Sequence, residues 1–167
     1  MKKGITITVM VLSILLVGLY MVTSTYAVII EVIEKDGALE IINDITIKDV
    51  LSNDDGTFND TYYMIKDELE ISDNDAKTLL ESAPLNNALQ TVLKSIVEYK
   101  VHDNQNAKLS DEEIYDLVSS ATLKTENIDD DLKSRIINKA SRYRNDVSRY
   151  MYDIEVSLFG ETVWIPL

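Results

Sequence analysis

The clearest chemical feature of this 167-residue chain is a set of cations near its end. Arg135, Lys139, Arg142 and Arg149 are spaced by four, three and seven residues, which places them on one side of a helix. Lys133 and Arg144 add to the same segment, and between Lys133 and Arg149 only Asp146 opposes them. Such a stripe has two uses. It can neutralise acidic helices of its own domain, or it can meet anionic lipid head groups, wall polymers or an acidic protein. Tyr143, Tyr150 and Tyr152 interleave with these cations, and at seam spacing tyrosines are read as core residues with a polar handle.

Other chemistry-bearing groups are weaker. The stretch from Asn53 to Asp60 is the nearest approach to a calcium loop. Setting Gly56 at the sixth place of an EF-hand puts Asn53 and Asp55 at ligand positions, but the first position falls on Leu51 and the bidentate twelfth on Tyr62. A solvated turn and helix cap is therefore expected. Asp129, Asp130 and Asp131 read as anionic residues opposite the positive end of a helix. The single histidine, His102, sits in a polar loop with no Glu-x-x-His or His-x-x-x-His spacing around it, so neither a metal nor acid–base work is assigned to it. No strand–Ser–helix elbow is present, and carboxylate pairs such as Glu112 and Glu113 coincide with a helix start. The expectation is a protein that is not an enzyme and holds no metal or cofactor. The rival class is a hydrolase or metal-dependent enzyme built from scattered residues.

The elements that would carry these groups are helical. Phe58, Tyr62, Ile65 and Leu69 step by four, three and four. Ser72 is a good N-cap for a short helix with Ala76, Leu79 and Leu80 on one side. Pro84 stands in the first turn of a helix whose seam is Leu85, Leu89, Val92, Ile96 and Tyr99. Ser110 to Glu113 is a capping box ahead of Ile114, Leu117, Val118 and Ala121. A last helix is expected from Asp129 to Phe159, because Ile136, Ala140, Tyr143, Val147, Tyr150 and Ile154 repeat as four, three, four, three, four; Gly160 would end it. The spacing of Ile41 to Ile47 also allows a short strand. The sum is an all-α fold, a bundle of about four to five helices.

The beginning of the chain sets its location. No charged side chain occurs from Gly4 to Ile30, with Lys2 and Lys3 ahead of the run and Glu31 just after it. A membrane-spanning helix needs about 20 apolar residues, so the run predicts a signal-anchor with its N-terminus in the cytoplasm and the rest of the chain outside. Cleavage of a signal peptide after Thr25-Tyr26-Ala27, giving a secreted domain, is the alternative; the apolar run continues beyond the usual h-region length of about 7–15 residues. Residues 1–30 are thus read as a transmembrane helix, 31–56 as a juxtamembrane connector in which Lys35-Asp36-Gly37 would bend or stop the helix, and 57–167 as the exported helical domain.

Lys3-Gly4 followed by Ile5-Thr6-Ile7 and the long apolar run resembles the leader of type IV pilins and pseudopilins. The resemblance is confined to this leader. Val9 stands where that family carries a glutamate, and the helical pattern downstream departs from the sheet usual there.

Charge limits the partners. Two of the 16 basic residues precede Glu31 and all 29 acidic residues follow Ile30, so the remainder carries −15. That field opposes nucleic acid. The absence of cysteine excludes a lipobox, a thiolate metal site and a cysteine nucleophile, and the residues ending the sequence carry no wall-sorting pattern. The partners expected are the bilayer through residues 4–30 and another protein or an anionic envelope component. The function expected is a non-enzymatic binding or scaffold module anchored by one span, with a pilin-like or sensor accessory module as the alternative.

Overall fold

A computed structural model describes residues 30–32, 42–53, 55–100, 102–142, 144–145, 156–158 and 161–163. Most of the expected span lies outside these residues; its last residue, Ile30, opens a strand. No helix among the described residues is long and apolar enough to cross a membrane.

From residue 42 to 142 the described structure is all-helical. Six α-helices follow one another: α1 (Ile47–Val50), α2 (Asp60–Leu69), α3 (Asp73–Leu80), α4 (Ala83–Lys100), α5 (Asp111–Lys124) and α6 (Asp130–Arg142), with a 3-10 turn at Gln105–Ala107 between α4 and α5. Their starts are set by side chains that accept from the otherwise unpaired first N–H groups. Asn59 caps α2, Ser72 caps α3 and Ser110 caps α5. The Ser110 hydroxyl accepts from the Glu113 N–H while the Glu113 carboxylate accepts from the Ser110 N–H. These bonds from Ser110 hold the Glu113 carboxyl below its ordinary pKa. The box is therefore complete above the ordinary glutamate pKa and is lost as pH falls through the lowered one.

The central element is α4. Leu85, Leu89, Val92, Ile96 and Val97 have no exposed surface, so the helix is covered on more than one stripe. It packs against α5, which packs in turn on α6, while α1 and α3 lie against α4 elsewhere. Ile114 and Val118 of α5 and Leu132, Ile136 and Ala140 of α6 complete the same core. The expected seam residues Ile136 and Ala140 are buried as their spacing implies.

Three departures from the sequence reading have physical causes. Phe58 belongs to the expected stripe but precedes the helix, because Asn59 takes the cap position; its ring stacks on Tyr62 at 3.9 Å instead. Ile41–Ile47 holds no strand among its described residues: Thr46 and Asp49 form a second capping box that starts α1. The last helix does not run unbroken to Phe159. It ends at Arg142, Arg144 and Asn145 form a turn, and Val156–Leu158 is a strand, β2. Arg144 is drawn to Glu112 and lies over the Tyr115 ring at 5.2 Å, so a contact with α5 competes with helix continuation there.

The core also begins before residue 57. Ile42, Ile47 and Leu51 are buried with it. The Asn86 side chain of α4 fastens this segment: its Oδ1 accepts from the Ile47 N–H at 2.7 Å, and its Nδ2 donates to the Leu80 and Ser82 carbonyls at 3.0 Å each. One amide thus caps the start of α1 and the end of α3. Gln90 adds donation to the Asn43 and Ile45 carbonyls.

Outside the helices lies a three-stranded sheet made of β1 (Ile30–Val32), β2 (Val156–Leu158) and β3 (Glu161–Val163), in that order across the sheet. β1 and β2 are parallel and β2 and β3 antiparallel, with only Phe159 and Gly160 between the latter two.

Candidate functional site

The basic stripe meets the end of α2. That helix closes with Glu70 in the left-handed region at φ 51°, which lets the Glu70 N–H reach the Asp67 carbonyl and the Ile71 N–H reach the Lys66 carbonyl. The two later carbonyls, of Glu68 and Leu69, still need donors. Arg135 Nη1 donates to the Leu69 carbonyl, and Lys139 Nζ lies 3.4 Å from the Glu68 carbonyl. Cations at a helix C-terminus also oppose its partial negative charge.

Each cation has a carboxylate as well. Arg135 Nε donates to Asp131 one turn earlier at 2.9 Å, and Lys139 pairs with the Glu68 side chain across the helices. The Lys139–Glu68 pair is the better shielded, with side chains 25% and 36% exposed. A cleft of about 300 Å³ opens beside these contacts, lined by Glu68, Leu69, Glu70, Arg135, Asn138, Lys139 and Arg142. Arg142 is exposed at its edge. Of the four residues of the stripe, the structure therefore brings Arg135, Lys139 and Arg142 together around the α2 terminus. Arg149 lies outside the described residues, as do Tyr143, Val147, Tyr150, Tyr152 and Ile154.

The remaining groups are spent locally. Asp55 accepts from both the hydroxyl and the N–H of Thr57, at 2.6 and 2.9 Å, and these bonds hold its carboxyl below its ordinary pKa. Gly56, at φ +80°, makes the turn between them. Leu51 and Tyr62, at the two EF-hand positions that need ligands, are buried in the core. Asp129 accepts from the Leu132 N–H at 2.6 Å, the role of a helix cap. His102 Nδ1 lies 3.2 Å from Glu98 on α4. Among the described residues no group of three or more metal-ligating side chains gathers.

Sequence reasoning missed the receiving side of the stripe. Nothing in the residue types of Glu68 and Leu69 announces that their carbonyls face α6; the one available signal was Ile71 following a helix end with no glycine. It also missed Asn86, whose position in the first turns of α4 looked like any polar helix residue, and the buried Ser82–Thr125 hydroxyl pair at 2.7 Å.

No protein-family model matches the chain, and neither a curated protein nor a solved structure matches it.

Proposed function

We propose that the chain is a single-pass membrane protein whose acidic helical domain stands at the outer face and works as a non-enzymatic binding or scaffold module. The observation that carries this reading is the run from Gly4 to Ile30 without a charge, behind Lys2 and Lys3. A helix of that length satisfies its own backbone in lipid, and the basic flank keeps the N-terminus inside. The charge of the remainder, −15, argues for a partner other than nucleic acid. Within the domain, the cleft beside α6 is the favoured place for an acidic protein or an anionic envelope component. Arg135 and Lys139 are engaged there by α2, so recognition falls to Arg142 and Asn138 at the rim.

A second reading, a secreted domain cut after Ala27, is favoured by one observation: β1 begins at Ile30, three residues past the cut, so a mature chain would start almost directly in a strand. Alkaline extraction of membranes followed by intact mass measurement separates the two. The anchored reading expects the chain in the membrane pellet with all residues before Val28 retained. A soluble product starting at Val28 would replace it with the secreted one.

A further inference from the structure

The cleft beside α6 holds two charges that its own chain leaves unmatched. Lys139 is paired with Glu68, and Arg135 with Asp131. Glu70 and Arg142 line the same cleft, both are exposed, and among the described residues neither has an ion pair. They stand on different helices, and each is held by its backbone. Glu70 closes α2 in the left-handed region, with its own N–H and that of Ile71 bonded back to the helix, and Arg142 is the last residue of α6.

Opposite signs in one cleft select among occupants. An anionic group that meets Arg142 leaves Glu70 unmatched, and a cationic group that meets Glu70 leaves Arg142 unmatched. A surface presenting both signs in the reverse order matches both. A second copy of this chain is such a surface by symmetry: a two-fold axis in the mouth of the cleft, midway between Glu70 and Arg142, sets each of them opposite its counter-charge on the other copy. The cleft also answers the general obstacle to that contact. Two chains that each carry −15 after Ile30 repel, but the cleft is lined by three cations against two carboxylates, so the repulsion is locally reversed.

We infer that this cleft is the contact of a two-fold dimer, in which Arg142 of each copy pairs with Glu70 of the other. The inference rests on the anchored reading above and names its acidic partner as a second copy of the chain. The anchor matters to it because exposed ion pairs are individually weak, and confinement of both copies to one bilayer supplies the effective concentration that they need.

Energy transfer between full-length chains reconstituted in phosphatidylcholine vesicles tests it. The chain has no cysteine, so Asn87→Cys, exposed on α4 and outside the lining of the cleft, carries the donor or the acceptor dye. With Glu70 and Arg142 intact, transfer should exceed that of randomly placed chains at the same surface density. Arg142→Glu and Glu70→Arg each set like charges against one another across the axis. Either alone should cut the excess transfer several-fold while the helical circular dichroism persists, since both side chains are exposed. Mixing the two variants, with the donor on one and the acceptor on the other, pairs opposite signs at both contacts and should restore the transfer. Co-flotation without excess transfer would overturn the inference and leave the anchor standing, with the cleft open to an anionic envelope component. Excess transfer that neither variant lowers, or that the mixture does not restore, would show that the copies meet elsewhere and overturns it too. Failure to co-float would overturn the anchored reading and this inference with it.

Discussion

Asn86→Ala is expected to lower the unfolding free energy by about 1–3 kcal/mol, because two part-buried main-chain groups lose their partner, and a buried group left unmatched costs roughly 1–3 kcal/mol, less where water still reaches it. The Ile47 N–H loses the acceptor that starts α1, and the Leu80 carbonyl loses the donor that ends α3. The Ser82 carbonyl suffers less, since the Asn86 backbone N–H still donates to it at 2.9 Å. No apolar contact accounts for such a loss, which sets it apart from an ordinary core truncation. Asn87, its exposed neighbour, is the control: Asn87→Ala should stay within about 0.5 kcal/mol. Urea denaturation of both variants measures the difference, and equal midpoints would mean that Asn86 does not clamp the two helices.

Reversing the described part of the stripe is the second large effect. Arg135→Glu, Lys139→Glu and Arg142→Glu together add six negative charges to a domain at −15 and place two carboxylates against the negative end of α2. The expected loss is about 2–4 kcal/mol at low ionic strength, combining at two positions a partly exposed ion pair and a helix-end cation with their repulsive counterparts. Salt should restore much of it, since the screening length falls from about 10 Å at 0.1 M to about 3 Å at 1 M. Thermal melting at both salt concentrations checks this. Arg142→Glu alone behaves differently: it should leave melting nearly unchanged while weakening association with anionic liposomes or wall material. Unchanged melting of the triple variant would show that these cations do not hold α6 to α2.

The sequence made the helical class legible through local signals. Ser72 and the Ser110–Glu113 box mark helix starts whose partners lie within three residues, and Pro84 stands in the first turn of α4, so nothing distant had to be known. What depends on distant partners was hidden. The heptad from Ile136 continues in register past Arg142, yet the helix stops, because Arg144 finds Glu112 from another element. Gly160 reads equally as a helix stop and as part of a two-residue link between strands, and only the pairing of Leu158 with Glu161 distinguishes them. For the site, the spacing of Arg135, Lys139 and Arg142 was visible, but main-chain carbonyls have no letter in the sequence. Their need for donors at the end of α2 emerges only with the fold.

The most direct test of the anchored, outward-facing account is protease added to intact cells that express the full chain. The account predicts that the helical domain, residues 42–142, is digested from outside while only a fragment containing residues 4–30 is protected, and that permeabilising the cells adds nothing to the loss of the domain. Complete protection of the helical domain in intact cells, relieved only on permeabilisation, would contradict it.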